Sequence, residues 1–308
     1  MHLRVHLDYL EAGANVIISA SYQATIEGFR SRGLSQDESE ALLRRSVHVA
    51  QEARRAFVEG GDGPRERQPV LAAASVGSYG AYLADGYARH ESGRLVRLNQ
   101  TRGITGAETY GDYGESVTKA ALKNFHRRRL LVLAGAGPDL IAFETIPCKL
   151  EAQAYAELLE ENDIRIPAWF SFTSKDGVHA ASGDTIAECV AVADACRSVA
   201  AVGVNCTAPR LIHGLILSIK EVTSDPIVVY PNSGETYIAE TKEWVVAQDS
   251  DGASGVDFVS CVGEWRQAGA ALVGGCCRTS PATVRAIARA VREADGDEYD
   301  DVPAVAVL

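Results

Sequence analysis

The stretch Ala270-Ala271-Leu272-Val273-Gly274-Gly275-Cys276-Cys277-Arg278-Thr279 decides how this chain folds, because an apolar run ends there in two glycines and two cysteines. A short apolar run of this kind predicts a buried strand. Neighbouring side chains on a regular strand point to opposite faces, so adjacent thiols share one site only where the strand ends. Glycine permits the backbone turn that such an ending requires. We therefore predict a strand that presents Cys276 and Cys277 at its carboxyl end.

A second apolar run, Val199-Ala200-Ala201-Val202-Gly203-Val204-Asn205, also stops at a thiol, Cys206. Three thiolates converging from two strand ends would leave one tetrahedral position of a zinc ion open, which is typical of catalytic rather than structural zinc sites. The pattern alone leaves two alternatives open. Buried cysteines often act as small apolar side chains, and a vicinal pair can form a strained redox disulfide.

Both stretches resemble the zinc-dependent homocysteine S-methyltransferase family. The resemblance extends from about residue 5 to about residue 290 and is interrupted by one insertion. The other segments that carry it, in the order of the family, are Val5-His6-Leu7-Asp8-Tyr9, Ala20-Ser21-Tyr22-Gln23-Ala24-Thr25, Phe143-Glu144-Thr145, Trp169-Phe170-Ser171-Phe172-Thr173 and Val229-Tyr230-Pro231-Asn232-Ser233-Gly234-Glu235.

This resemblance implies an α/β enzyme of the (β/α)8 TIM-barrel type. It implies methyl transfer from a sulfonium donor, S-methylmethionine or S-adenosylmethionine, to homocysteine, with methionine as the product. The implied zinc ligands are Cys206, Cys276 and Cys277, with the homocysteine sulfur in the fourth position. No catalytic side chain is expected beyond the zinc-activated thiol of the substrate. Selenocysteine remains an alternative acceptor.

The resemblance also implies a pocket for the amino acid. Glu144 ends an apolar strand and is expected to bind the homocysteine ammonium, with pairing to a nearby arginine as the alternative. Tyr22, Gln23 and Thr25 are expected to line the pocket. Asn205 is expected to orient Cys206 or the substrate backbone.

A further loop is expected near this pocket. It contains Tyr230, Asn232, Ser233 and Glu235, for which a polar turn after a strand is an equally good interpretation. Arg278 either binds a carboxylate or caps a helix. Of the seven histidines, none occupies an obvious strand end, so none is assigned a role.

The beginning of the chain departs from the family. The family opens with a strand ending in an Asp-Gly motif, whereas this chain opens with a helical pattern over residues 1–13 that resembles the helix after that strand. A missing strand would leave two neighbouring strand edges unpaired. The sequence therefore indicates a truncated form, a substitute strand from elsewhere, or a catalytically inactive zinc-binding member of the family.

Composition narrows the class of protein. The net charge of −11 argues against nucleic acid or an anionic membrane as a partner, since both require a basic surface. Small-molecule substrates are the expected partners. Seven cysteines, an odd number, favour a reducing compartment over a disulfide framework, and no apolar run is long enough to span a membrane. We expect a cytoplasmic protein.

Apolar strands and amphipathic helices alternate along the chain, which is typical of a parallel sheet covered by helices. We count seven strands and predict that the first strand of the barrel is missing. The barrel domain is assigned to residues 1–294, with a polar insertion at about 87–109 that is either unstructured or a lid. Residues 295–308 are assigned to a frayed acidic tail.

Overall fold

Eight parallel strands close into a barrel in the computed structural model of the chain. The structure describes residues 2–60, 69–84, 87–89, 95–97, 113, 117–234, 236–238, 243–245, 258–295 and 304–306. The α/β barrel predicted from the sequence is thus confirmed. Helices pack around the outside of the ring. Because the strands are parallel, their carboxyl ends lie at one face of the barrel.

The helices are α1 (His2–Glu11), α2 (Ile26–Ser31), α3 (Gln36–Glu59), α4 (Tyr79–Ala84), α5 (Lys119–Ala134), α6 (Lys149–Glu161), α7 (Ile186–Asp194), α8 (Pro209–Lys220), α9 (Val262–Ala268) and α10 (Pro281–Asp295). The strands are β1 (Val16–Ile18), β2 (Leu71–Gly77), β3 (Tyr87–Arg89), β4 (Leu95–Arg97), β5 (Leu140–Ile146), β6 (Ala168–Phe172), β7 (Val199–Asn205), β8 (Ile227–Tyr230), β9 (Thr236–Ile238), β10 (Glu243–Val245), β11 (Ala270–Gly275) and β12 (Ala304–Ala306). A 3₁₀ turn, Phe258–Cys261, precedes α9.

Seven of the eight barrel strands are those that the apolar runs predicted, in the ring order β1, β2, β5, β6, β7, β8 and β11. The eighth is β12, which lies between β11 and β1 and runs parallel to both. The expectation of a frayed tail therefore does not hold for 304–306. The sequence analysis predicted a gap at the position of the family's first strand, and this segment fills it. The facing edges of β1 and β11 are therefore both paired.

Two apolar layers stabilise the barrel, because alternate residues of each strand face the interior and the helices. Trp169 and Tyr230 are fully buried in the interior layer, where the Trp169 indole Nε1 donates to the Tyr230 hydroxyl at 3.1 Å. The outer layer joins alternate strand residues such as Phe143 and Phe170 to α6 and α7. Truncating one large side chain of such a core costs about 3–5 kcal/mol.

Local signals explain where the helices begin. Ser35 is the N-cap of α3, and its hydroxyl accepts from the backbone N–H of Glu38 while the Glu38 carboxylate accepts from that of Ser35. Thr185 and Glu188 form the same reciprocal arrangement at the start of α7. These contacts satisfy backbone N–H groups that have no partner within the helix.

Two short antiparallel pairs lie outside the barrel. β3 pairs with β4 inside the predicted insertion, so this part of residues 87–109 is not unstructured, and the rest lies outside the described residues. β9 pairs with β10 after β8. Among the helices that the structure describes, none combines the length and apolar character needed to cross a membrane.

Candidate metal and substrate site

A cavity of about 410 Å³ opens at the carboxyl ends of the barrel strands. This is the face where (β/α)8 barrels place their chemistry. The residues that line it follow or end β1, β2, β5, β6, β7 and β11, or lie on α1: Tyr9, Ser19, Tyr22, Gln23, Ser75, Glu144, Thr145, Thr173, Asn205, Cys206, Cys276, Cys277, Arg278 and Thr279. The structure thus brings the three predicted metal ligands and four of the five predicted substrate residues to one cavity.

The three thiols form a cluster at the wall of this cavity. The Sγ atoms of Cys206 and Cys277 are 3.3 Å apart, those of Cys276 and Cys277 are 4.0 Å apart, and all three lie within 4.8 Å of one another. Zinc–sulfur bonds of about 2.3 Å in a tetrahedron would set sulfurs about 3.8 Å apart. The cluster therefore has the spacing and the donor atoms to hold a thiophilic metal ion.

The backbone around the thiols explains their convergence. Gly203 lets β7 approach β8, because a Cβ atom there would lie 1.7 Å from the carbonyl oxygen of Val228. Gly275 permits the tight turn after β11, since its Cβ would lie 2.6 Å from the Thr279 hydroxyl. Cys206 adopts a left-handed conformation with φ of 48°. Gly203, within the apolar run of β7, and Gly275, at the end of β11, are thus required by the close packing beside the cysteines.

The thiols influence each other's protonation. Hydrogen bonds to Cys206 and Cys276 lower the pKa of Cys277 to about 3. The same shared hydrogen bonds, together with burial, raise the pKa of Cys276 well above its usual value. The cluster therefore releases one proton readily and resists releasing a second, because two thiolates in one small volume repel each other. A bound cation would remove that resistance.

Glu144 lies near the carboxyl end of β5, lines the cavity and is only 2 % exposed. Burial raises the pKa of Glu144 to about 7, although hydrogen bonds from Ser75 and Tyr230 oppose the shift. The Ser75 hydroxyl donates to Glu144 Oε1. A poorly hydrated carboxyl group gains strongly from a cationic partner. The position is therefore suited to binding an ammonium group.

Asn205 connects the Glu144 side of the cavity to the thiols. Its Oδ1 accepts from the backbone N–H of Thr145 at 2.8 Å, and its Nδ2 donates to the Thr145 hydroxyl at 2.8 Å. The same Nδ2 lies 3.9 Å from Cys276 Sγ. Thr145 has φ of 55°, a conformation that costs about 1–3 kcal/mol unless its surroundings hold it. Asn205 therefore fixes the backbone immediately after Glu144.

The segment after β1 meets the predictions in part. Tyr22 and Gln23 line the cavity. Thr25 is buried but is not among the lining residues, and its hydroxyl accepts from the backbone N–H of Gly28 at 2.9 Å as the N-cap of α2. The structure therefore gives Thr25 a helix-capping contact, which a hydroxyl before an amphipathic segment could have predicted.

The loop after β8 contributes through its first residues. The fully buried Tyr230 is one of the groups that hydrogen-bond Glu144, and the backbone N–H of Ser233 donates to the Cys277 carbonyl oxygen at 3.1 Å. The Asn232 side chain accepts from the backbone N–H of Gly234 at 2.9 Å, as expected of a polar turn. Glu235 lies outside the described residues.

Six polar residues of the cavity wall were given no role from the sequence: Tyr9, Ser19, Ser75, Thr145, Thr173 and Thr279. Ser75 interrupts the apolar strand β2 and contacts Glu144, and a lone hydroxyl in a buried run was the signal that could have found it. Ser19 and Tyr9 also line the cavity. The hydroxyl of Tyr9 donates to the carbonyl oxygen of Thr279 at 3.0 Å, a contact between α1 and the turn after β11 that no local pattern predicts.

The chain is similar to known proteins over nearly its whole length. The family model for homocysteine S-methyltransferase matches residues 3–291. Homocysteine S-methyltransferase 4 of Zea mays is 75% identical over 99% of this chain and 82% of its own length. Selenocysteine Se-methyltransferase of Brassica oleracea var. italica is 55% identical over 92% of this chain and 77% of its own length.

A solved structure is similar over nearly the same range. The metallated form of the homocysteine methyltransferase MmuM from Escherichia coli superimposes with a TM-score of 0.75 at 37% identity. The match covers 93% of this chain and 83% of that one.

Proposed function

This chain belongs to the homocysteine S-methyltransferase family, and we propose that it transfers a methyl group from a sulfonium donor to the sulfur of homocysteine, forming methionine. S-Methylmethionine or S-adenosylmethionine is the proposed donor. The observation that carries the proposal is the cluster of Cys206, Cys276 and Cys277 at a cavity that also contains Glu144. One wall offers metal ligands and another offers a carboxyl group for an amino acid.

Zinc is the proposed metal, held by Cys206, Cys276 and Cys277. Three thiolates around one divalent ion carry a net charge of −1, which suits a soft thiolate-binding metal with one position left for substrate. When bound, the ion supplies the Lewis acidity that keeps the acceptor sulfur deprotonated at neutral pH. The donor set on this chain fits that role, because all three side chains are free thiols that face the cavity.

The protein side chains position the two substrates. Glu144 is proposed to hold the homocysteine ammonium, with Tyr22, Gln23 and Asn205 forming the adjoining walls. The acceptor sulfur forms the new bond to the methyl carbon, the bond from that carbon to the sulfonium sulfur breaks, and the electron pair of that bond leaves with the donor as a neutral thioether. The thiol proton of the acceptor passes to solvent. Such a displacement requires alignment and an activated nucleophile.

The proposed reaction assigns no role to a histidine, since the activated group is the thiol of the substrate. His126 is fully buried between α5 and α6. We also propose a reducing compartment, the cytoplasm, since all seven cysteines are free thiols and the proposed site requires three of them reduced.

Single replacements of the three thiols test the proposed site. Cys206→Ala, Cys276→Ala and Cys277→Ala should each lose bound zinc together with methionine formation, because two remaining thiolates bind zinc far less tightly. Cys261→Ala, which changes a thiol outside the cavity, is the matched control and should keep both. Zinc is measured by elemental analysis of the purified protein, and methionine by chromatography. Full zinc content in any of the three variants would contradict the assignment.

The alternative function is that of a zinc-binding protein without turnover. The same assay separates the two functions, since zinc without methionine from homocysteine and either sulfonium donor supports the alternative. Selenocysteine is assayed beside homocysteine, because a similar relative bears the name of a selenocysteine methyltransferase. If a methylated product formed from selenocysteine and not from homocysteine, selenocysteine would replace homocysteine as the proposed acceptor, and the proposed metal site would be unchanged.

A further inference from the structure

The proposed reaction requires the cavity to accommodate carboxylate groups. Homocysteine and S-methylmethionine are both α-amino acids, so each brings an ammonium and a carboxylate into a site that is already rich in negative groups. Glu144 suits the ammonium and repels the carboxylate. A carboxylate leaving water needs a cation or several hydrogen-bond donors.

Arg278 is the cation on the described part of the cavity wall. The other lining residues there are neutral polar side chains, the Glu144 carboxyl group and the three thiols. Arg278 directly follows Cys277, so its side chain is attached beside the proposed metal ligands. A guanidinium group offers two parallel N–H donors that match the two oxygens of a carboxylate.

The backbone holds Arg278 in an unusual conformation. Its φ is 66°, in the left-handed region that glycine adopts without cost and other residues rarely adopt. The carbonyl before it accepts from Ser233 N–H at 3.1 Å, and the carbonyl after it, that of Thr279, accepts from the Tyr9 hydroxyl at 3.0 Å. Both sides of the residue are thus fixed by contacts from other elements. Strained, well-held residues of this kind concentrate at ligand sites.

From these observations we propose that Arg278 binds the α-carboxylate of an amino-acid substrate in this cavity and selects amino acids over their decarboxylated analogues. The inference rests on the proposed methyl-transfer function and deepens it. The carboxylate can come from the acceptor or from the donor, since both carry the same group. The experiment is arranged to tell these two sources apart.

The test compares Arg278→Met and Arg278→Gly with the wild type on four substrates. The acceptors are homocysteine and 3-aminopropane-1-thiol, and the donors are S-methylmethionine and (3-aminopropyl)dimethylsulfonium. Loss of a charged, bidentate contact should lower kcat/KM about 10- to 100-fold for the amino acid whose carboxylate is bound. Turnover of the matching decarboxylated analogue should stay within about threefold of the wild type.

The two variants separate the side chain from the backbone. Arg278→Gly removes the guanidinium and also relieves the left-handed φ, so it should fold at least as well as the wild type. Both variants should lose the same discrimination, and both should keep their zinc. Arg285→Met, which removes an exposed arginine from α10, is the matched control and should change none of these values.

Two results would overturn the inference. One is an equal loss of kcat/KM with all four substrates at unchanged zinc content, which would mark Arg278 as a structural residue. The other is a loss of zinc in the Arg278 variants, which would place its effect at the metal ligands. A wild type that forms no methionine from either sulfonium donor would refute the proposed function instead. Titration calorimetry of homocysteine against 3-aminopropane-1-thiol, and of S-methylmethionine against (3-aminopropyl)dimethylsulfonium, then still tests Arg278. A preference for the amino acid that is the same in wild type and variants for both pairs contradicts the inference.

Discussion

Glu144 shows how one buried side chain acquires a property that its residue type does not have in water. Burial raises its pKa from 4.5 to about 7, while hydrogen bonds from Ser75 and Tyr230 keep the shift from being larger. A shift of that size corresponds to about 3 kcal/mol of preference for the neutral acid. The free site therefore holds Glu144 near the midpoint of its titration at neutral pH, where an arriving ammonium group favours ionisation.

Binding of homocysteine should consequently depend on pH through Glu144. The acid is neutral below its pKa and loses the ion pair with the ammonium, so kcat/KM for homocysteine should fall as the pH drops through about 7. Glu144→Gln should lower kcat/KM at pH 8 about 100-fold, as expected for removing a charge-assisted contact, and should flatten the profile near pH 7. Steady-state kinetics between pH 5.5 and 8.5 measures the loss of kcat/KM and the shape of the pH profile. This range extends about one and a half pH units to each side of the pKa of Glu144.

The control for this profile is Glu264→Gln, which changes an exposed carboxylate on α9 that pairs with His213. It should reproduce the wild-type profile. An inflection near pH 7 that persists in Glu144→Gln would assign the titration to another group and would contradict the proposed ammonium contact.

Among the elements, α5 and α6 do more than cover the barrel, because a buried polar network joins them to the cavity face. Glu151 on α6 accepts from Tyr113 at 2.6 Å and from Tyr155 at 3.1 Å, and lies 2.8 Å from His126 Nε2. These hydrogen bonds outweigh burial and lower the pKa of Glu151. Burial also lowers the pKa of His126 to about 4. The network thus pairs a buried carboxylate with a neutral imidazole.

Arg129, on the same face of α5, extends this network to the loop after β1. Its guanidinium is 1 % exposed and donates to the carbonyl oxygens of Gly77, at the end of β2, and Ala24, in the loop after β1. That loop contains Tyr22 and Gln23 of the cavity wall. A helix on the outside of the barrel therefore helps to hold a loop that lines the cavity.

Arg129→Met should destabilise the protein by about 3 kcal/mol, because it leaves buried carbonyl groups without their charged donor. Arg127→Met provides a control on the same helix. Arg127 is half-buried at the surface and pairs with the exposed Glu161 at 2.9 Å, so its loss should cost less than about 0.5 kcal/mol. Urea denaturation followed by circular dichroism gives both free energies of unfolding. Similar values for the two variants would refute a structural role for the Arg129 contacts.

At the scale of the whole molecule, closure of the barrel depends on a segment distant in sequence from the strands beside it. Val305 in β12 is in register with Val16 of β1 and Gly274 of β11, and Ala306 is in register with Gly275. Gly275 directly precedes Cys276. The strand that closes the ring therefore also supports the backbone from which two of the three clustered thiols project.

Deleting residues 304–308 should therefore affect stability and the metal site together. The free energy of unfolding should fall by about 3 kcal/mol or more, at about 1 kcal/mol for each backbone hydrogen bond lost. The exposed edges of β1 and β11 should promote aggregation, and zinc should bind more weakly. Urea denaturation, light scattering and zinc competition with a chelator measure the three effects.

A variant in which residues 296–303 become a glycine–serine linker of equal length is the control for the deletion. It keeps β12 and should remain close to the wild type in all three measurements. If the deletion left both stability and zinc affinity unchanged, β12 would not be a working part of the barrel.

The sequence by itself determined the barrel class, the seven strands of the alternating pattern and the two strand ends that carry Cys206, Cys276 and Cys277. These features could be predicted because buried strands are read from local apolar runs, and because parallel strands end at one face. Glu144 was found in the same way, as an acidic residue at the end of such a run. The assignment of the thiols to zinc and of Glu144 to an ammonium required the resemblance to a family.

Only the tertiary structure decided how the ring closes, which polar groups tune Glu144, and which carbonyl groups Arg129 holds. Ser75, Tyr9 and Arg129 contact residues that are 69, 270 and 105 positions away in sequence. Contacts over such separations leave no local periodicity, since they depend on where whole elements pack. The strand β12 could not be predicted for the same reason. Its three small and β-branched residues lie in an acidic tail and are too few to form a recognisable strand pattern. They form a strand because β1 and β11 leave a space of one strand between them.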